Sequence, residues 1–202
     1  MTPLDDSNSE GVTLGDGDAL ILVDMQNDFL PGGSLAVMGG DEIIPLLNAC
    51  IARFTARGLP VFATRDWHPP DHCSFRENGG QWPVHCVAGT PGAEFAPNLK
   101  LPESLTVISK ATQPDADAYS GFQDTDLEAR LRSQGIERLF TGCLATDYCV
   151  KSTVLDALDL GFEVFLLEDA IRAVNLQPDD GDKAIDAMRQ KGARLCTLDC
   201  IT

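Results

Sequence analysis

Three chemically reactive side chains lie at or shortly after the ends of apolar segments: Asp24 in ILVDMQNDF, Lys110 in LTVISKAT and Cys149 in TGCLATDYCV. Each segment is typical of a buried strand. In an open parallel sheet the carboxyl ends of the strands face one crevice, where such folds bind their ligands. An acid, an amine and a thiol that converge there are the parts of an amidase with a cysteine nucleophile. We therefore predict a hydrolase of this type.

The position of Cys149 favours catalysis over a purely structural role. It follows a predicted strand at 137–142 and lies in the first turn of a predicted helix, for which Thr146 is the expected N-cap. A thiol in that turn faces free backbone N–H groups and the positive end of the helix dipole, which lowers its pKa. The same N–H groups can hold an oxyanion. A lone cysteine is more often a buried structural residue, but this position, where a strand turns into a helix, indicates a nucleophile.

The sequence leaves two types of base open for the thiol. Histidine commonly serves, but all three histidines lie in one loop. Asp24 is the other candidate, because burial raises the pKa of a carboxyl group and an adjacent lysine lowers it. Asp24 as a turn residue and Lys110 as a solvated surface lysine are competing interpretations. Both lose weight because the two side chains share a crevice with Cys149.

The loop at 66–103, which is rich in proline, glycine and histidine, carries a second group of candidate residues. It comprises one aspartate and three histidines: Asp66, His68, His72 and His85. An Asp-x-His pair with a distant histidine is a mixed ligand set for Zn²⁺, Fe²⁺ or Mn²⁺, and three protein ligands leave a position for water or substrate. Two alternatives stay open: histidines bonded to the loop backbone, and a closed zinc site that uses Cys73 and Cys86.

The elements that position these residues follow from short apolar runs and helical periodicity. Six runs predict strands at 19–24, 60–65, 104–109, 137–142, 162–168 and 193–198. Apolar residues at helical spacing predict helices, each followed by glycine, at 41–57, 124–134, 147–160 and 179–191. This alternation predicts an α/β fold, a three-layer doubly wound domain with a mostly parallel sheet.

The composition is that of a single globular domain of 202 residues, with 44% hydrophobic and 23% charged residues. The net charge of -16 argues against nucleic acid and anionic membranes as partners and leaves open whether the chain forms homo-oligomers. Residues 1–17 predict a flexible arm without a secretory signal, ahead of one domain at 18–202. Without a membrane-spanning run, and with seven cysteines predicted to be reduced thiols, we expect a cytoplasmic protein.

Five motifs carry a specific family resemblance: VDMQNDFLPGGSLAV, TRDWHPPDHCSF, WPVHCVAGTPGAEF, YSGF and GCLATDYCV. Over roughly residues 18–200 the chain resembles the nicotinamidase (pyrazinamidase) branch of the isochorismatase-like cysteine hydrolases. The resemblance implies a catalytic triad of Asp24, Lys110 and Cys149. It also implies one divalent metal ion, with the ligands Asp66, His68 and His85. Some members use a further histidine at the position of His72, but the loop is shorter here, so His72 is expected to support the ligands without binding the metal.

The same resemblance implies the surroundings of the substrate. Aromatic residues matching Phe29, Trp82 and Tyr119 line the ring pocket, and Tyr148 occupies a variable position expected to tune substrate choice. The peptide between Leu144 and Ala145 is expected to be cis. The backbone N–H groups of Ala145 and Cys149 then form the oxyanion hole.

The implied activity is hydrolysis of nicotinamide, and also pyrazinamide, through a cysteine thioester. Two rivals remain at this point. One is a related amidase that acts on another small amide, such as N-carbamoylsarcosine or maleamate. The other is a non-catalytic metal-binding or redox-sensing protein, which needs a resolving cysteine near Cys149. The nearest in sequence, Cys143, lies in a predicted strand.

Overall fold

A six-stranded parallel sheet forms the centre of the molecule. The computed structural model describes residues 11–202. The strands are β1 (Asp18–Val23), β2 (Val61–Asp66), β3 (Thr106–Lys110), β4 (Arg138–Leu144), β5 (Glu163–Arg172) and β6 (Arg194–Cys196). Their order in the sheet is β3-β2-β1-β4-β5-β6, and every neighbouring pair is parallel. The strand order reverses between β1 and β4, and ligands bind outside such a switch point.

In the described part of the chain, four α-helices accompany the sheet: α1 (Ile44–Thr55), α2 (Leu127–Ser133), α3 (Lys151–Asp159) and α4 (Asp180–Lys191). Helix α1 packs on β1 and β2, and α3 packs on β5 and α4. Strands buried on both faces explain the continuous apolar runs: all six residues of β1 are buried. The predicted α/β fold with a doubly wound sheet is confirmed.

The connection between β2 and β3 contains no α-helix. Residues 67–105 hold only two short 3-10 turns, at Arg76–Asn78 and Pro91–Ala93. Proline interrupts the backbone hydrogen-bond pattern of a helix, so the spacing of the histidines does not produce one. This long loop folds over the carboxyl ends of the strands, where its histidines meet residues from the sheet.

Part of the predicted N-terminal arm belongs to the folded domain. Val12 forms a parallel bridge with Ile201, and its N–H donates to the carbonyl of Cys200 at 2.6 Å. The side chain of Leu14 is buried. The domain boundary at residue 18 stays a prediction, and pairing with the C-terminal segment joins residues 11–17 to the rest of the described chain. Residues 1–10 of the predicted arm lie outside the described residues. Within 11–202, no helix has both the length and the apolar character needed to cross a bilayer.

Candidate active site

The three reactive side chains come together at the carboxyl ends of the central strands. Asp24 directly follows β1, and Lys110 is the last residue of β3. Cys149 lies in a π-helical turn, Thr146–Val150, between β4 and α3. All three side chains are buried, with relative exposures of 0%, 1% and 6%. Strands β3, β1 and β4 lie within four consecutive positions of the sheet, β3-β2-β1-β4, which accounts for the convergence that the sequence predicts.

The ammonium group of Lys110 is the centre of this cluster. Its Nζ lies 2.9 Å from Asp24 Oδ2 and 2.5 Å from Asp66 Oδ1. It also donates to Cys149 Sγ at 3.5 Å and to the carbonyl of Ala118 at 3.2 Å. The two carboxylates raise the pKa of Lys110 and outweigh its burial, so the lysine stays charged. A fixed positive charge beside the sulfur stabilises a thiolate.

Asp24 has the environment of a general base. Burial raises the pKa of its carboxyl group, and the charge of Lys110 opposes that effect. The Thr64 hydroxyl donates to Asp24 Oδ1 at 2.6 Å, which fixes the orientation of the carboxylate. A carboxylate oxygen of Asp24 lies within 4.8 Å of Cys149 Sγ. A raised pKa and a position close to the thiol are what proton abstraction requires.

Two predictions about the nucleophile's turn are wrong. Burial raises the pKa of the Cys149 thiol above its usual value, and Lys110 only partly counteracts this, so the turn does not lower the pKa as expected. Thr146 is not an N-cap: Ala145 precedes the turn, and no side chain caps it. Desolvation outweighs the effect of the turn because Cys149 is buried. The resting thiol is therefore protonated and depends on its base.

The backbone before this turn agrees with the expectation from the resemblance. The peptide between Leu144 and Ala145 is cis, as predicted. Ala145 precedes the π-helical turn, and Cys149 is its fourth residue. Both residues line the same cavity. Their assignment as the oxyanion hole remains a prediction, which this common location supports.

Asp66, His68 and His85 form a buried cluster that suits a metal ion. One ligand atom of each lies within 4.8 Å of the others. The Nδ1 atoms of His68 and His85 contact the carbonyls of Ala111 and Pro83, at 3.1 and 2.8 Å, which leaves both Nε2 atoms for a metal. A metal-binding histidine usually donates its other ring N–H in this way. The donor set of two imidazoles and one carboxylate fits a divalent transition metal.

His72 lies beside this cluster. Its ring stacks on His68, with centroids 4.1 Å apart. Its Nδ1 contacts Ser74 Oγ at 2.8 Å, and its Nε2 contacts the carbonyl of Ala116 at 3.2 Å. Because both ring nitrogens have protein partners, the structure supports the predicted supporting role of His72. Within residues 11–202, neither Cys73 nor Cys86 belongs to a cluster of three potential metal ligands.

The cluster and Cys149 face one cavity. The four predicted pocket residues, Phe29, Trp82, Tyr119 and Tyr148, all line it. Trp82 Nε1 donates to the Tyr119 hydroxyl at 3.0 Å, and the ring of Tyr148 lies 5.1 Å from that of Trp82. Such aromatic walls suit a small planar ring.

Other residues of the site were not predicted from the sequence. Gln26 holds the backbone of Asp66: its Oε1 accepts the Asp66 N–H, and its Nε2 donates to the Asp66 carbonyl, both at 2.8 Å. Its position directly after an apolar strand was an available signal. The cavity is also lined by residues from separate loops with no such signal: Leu35, Ser74, Asp117, Ala118 and Val174.

Comparison with known proteins agrees with this geometry. The family model described as the isochorismatase domain matches residues 18–200. The chain belongs to the isochorismatase family. This member is 42% identical to a nicotinamidase of Escherichia coli (strain K12), over 89% of this chain and 94% of that protein.

Two solved structures resemble this isochorismatase-family protein closely. The pyrazinamidase of Pyrococcus horikoshii in complex with zinc is 51% identical, with a TM-score of 0.86, over 90% of this chain and 99% of that chain. PnC1 from L. infantum in complex with nicotinate is 38% identical, with a TM-score of 0.89, over 95% and 98% of the two chains. The resemblance predicted from the sequence motifs is confirmed.

Proposed function

We propose that this protein is an amidohydrolase that converts nicotinamide to nicotinate and ammonia, and that it also accepts pyrazinamide. The observation that carries the proposal is that one cavity combines a nucleophile with a set of potential metal ligands. Cys149, which contacts Lys110 and lies within 4.8 Å of Asp24, lines the same cavity as the ligand cluster Asp66, His68 and His85. The similarity to nicotinamidases and pyrazinamidases supports the choice of substrate.

The first half of the reaction forms a thioester. Asp24 takes the proton of the Cys149 thiol, and Lys110 stabilises the resulting thiolate. The sulfur attacks the amide carbon, and the N–H groups of Ala145 and Cys149 hold the oxyanion that forms. Asp24 then gives its proton to the amide nitrogen, the carbon–nitrogen bond breaks and ammonia leaves. The carboxylate of Asp24 is thereby regenerated.

The second half hydrolyses the thioester. Asp24 takes a proton from water, and the hydroxyl attacks the thioester carbon. The tetrahedral intermediate expels the sulfur, and Asp24 returns its proton to it. The product is nicotinic acid, which loses its carboxyl proton to ammonia or water and leaves as nicotinate. One carboxylate thus serves as base and acid in both halves, which agrees with its raised pKa and its position within 4.8 Å of the sulfur.

We propose that the bound metal is a divalent ion held by Asp66, His68 and His85, with zinc favoured over iron and manganese. The zinc complex of the Pyrococcus horikoshii relative supports this choice. When bound, such an ion would supply a Lewis acid for the pyridine nitrogen and would so help to orient the ring. The protein residues carry out the bond-forming and bond-breaking steps at the amide.

Removal of the metal is expected to raise the KM for nicotinamide about tenfold or more, the effect of losing ~1.4 kcal/mol of binding energy. The reason is that the ring loses its anchor while the triad keeps its contacts. Metal content measured by mass spectrometry before and after chelation, together with KM values, checks this. Restoring Zn²⁺ should restore the original KM. An unchanged KM after verified metal loss would rule out ring anchoring.

Incubation with nicotinamide followed by an ammonia assay tests the function itself. We expect stoichiometric ammonia and nicotinate. Ammonia from N-carbamoylsarcosine or maleamate but not from nicotinamide would favour the related amidases, against which the aromatic cavity argues. No turnover of any of these amides by folded, metal-loaded protein would favour the non-catalytic alternative. Burial in the core raises the pKa of Cys143, which makes it a poor resolving cysteine.

A further inference from the structure

The carboxylate of Asp147 connects the nucleophile's turn to a wall of the cavity. Asp147 lies in the Thr146–Val150 turn, two residues before Cys149. Its Oδ1 accepts a hydrogen bond from the N–H of Val174 at 2.9 Å, and its Oδ2 accepts one from the N–H of Asn175 at 2.8 Å. The two carboxylate oxygens of Asp147 therefore accept hydrogen bonds from two successive backbone N–H groups of a segment that is distant in sequence. Hydrogen bonds to a carboxylate are stronger than neutral ones and define geometry well.

The held segment contributes directly to the site. It connects β5 to α4, and Val174 lines the cavity together with Tyr148 and Cys149. The next residue, Asn175, accepts the N–H of Gly181, in the first turn of α4, with its Oδ1 at 2.8 Å. The segment is thus attached to α4 independently of Asp147. Loss of the Asp147 contacts should move the wall without unfolding the segment.

We propose that Asp147 is a positioning residue that sets the width of the ring-binding cavity through its hold on Val174. The cavity thereby selects small unsubstituted ring carboxamides over ring-substituted ones. This inference rests on the proposed amidase function and assigns a substrate preference to the same cavity. Asp147 acts through the backbone of the Val174 segment. Because Cys149 and Val150 are packed in the core, loss of Asp147 displaces the wall more than the nucleophile.

Amide hydrogen exchange tests the two hydrogen bonds to Asp147 directly and does not require turnover. In Asp147→Ala, exchange at the N–H groups of Val174 and Asn175 should be about tenfold faster or more, because two charge-assisted bonds are lost. The matched control is Asp159→Ala, an exposed aspartate on α3 that pairs with Lys191; there, exchange at both amides should be unchanged. Unchanged exchange in Asp147→Ala would overturn the proposal.

Kinetics test the consequence for substrate choice. Asp147→Ala should raise the KM for nicotinamide about tenfold with kcat changed less than about twofold, the signature of lost uniform binding. The preference for nicotinamide over 5-methylnicotinamide, as a ratio of kcat/KM values, should fall. Asp147→Asn keeps one acceptor oxygen and should be intermediate. A lower kcat at unchanged KM, or an unchanged preference, would overturn the proposal. No turnover by the wild type would contradict the proposed function, and the exchange result would still decide whether Asp147 holds the wall.

Discussion

The variant Cys149→Ala is expected to release ammonia from nicotinamide at least ~10⁴-fold more slowly than the wild type, because removal of a nucleophile disables the whole catalytic unit. The Cys149 sulfur is 3.5 Å from Lys110 Nζ, and no other cysteine among residues 11–202 lines the cavity. Alanine keeps the backbone N–H that is proposed for the oxyanion hole. The steady-state rate of ammonia release measures the loss.

Binding separates this loss of chemistry from loss of the site. Alanine leaves the ligand cluster and the aromatic walls in place, so Cys149→Ala should bind nicotinamide with a Kd close to the wild-type KM, by calorimetry or Trp82 fluorescence. The matched control is Cys73→Ser, because Cys73 is a free, half-buried thiol outside the cavity lining. Its kcat should equal that of the wild type. Ammonia release by Cys149→Ala at more than a few per cent of the wild-type rate would refute the thiol's role.

The sequence predicts the positions of the site residues well because they depend on the strands. Asp24 and Lys110 stand at strand ends, and in a parallel sheet the register of the backbone determines which ends are neighbours. In β2 and β3, Asp66 is paired with Lys110. Once both strands are correctly located, the predicted metal ligand Asp66 and the predicted catalytic lysine Lys110 fall at the same end of the sheet. The contact of 2.5 Å between them was nevertheless not predicted, because apolar patterning does not define register.

The properties that the sequence did not predict depend on how deeply an atom is buried and on segments without a periodic hydrophobic pattern. The pKa of Cys149 is raised because the thiol is buried, and burial of one atom depends on packing by several loops. Val174 and Asp117 reach the cavity from such loops. The pairing of Val12 with Ile201 joins the two ends of the chain. Contacts between segments so far apart leave no local pattern for a single sequence to reveal.

The variant Asp24→Asn is expected to lower kcat by ~10²–10⁴-fold, the contribution of a positioned general base. Asparagine has the same shape but cannot take the thiol proton, and burial keeps the Cys149 thiol protonated in its absence. The fold should persist, because Lys110 keeps its ion pair with Asp66 and so is not left as an unpaired buried charge. Steady-state kinetics and thermal unfolding measure the two effects.

Thr64→Val provides the graded comparison for this prediction. Thr64 donates to Asp24 Oδ1 at 2.6 Å without being a proton acceptor in the reaction. Its removal frees the carboxylate to rotate and should lower kcat by about tenfold, consistent with one hydrogen bond to a charged group. The kcat values should therefore decrease in the order wild type, Thr64→Val, Asp24→Asn.

An Asp24→Asn enzyme as fast as Thr64→Val would show that another group takes the thiol proton. His68 and His85 would then be the groups to test, since their rings lie on the same cavity.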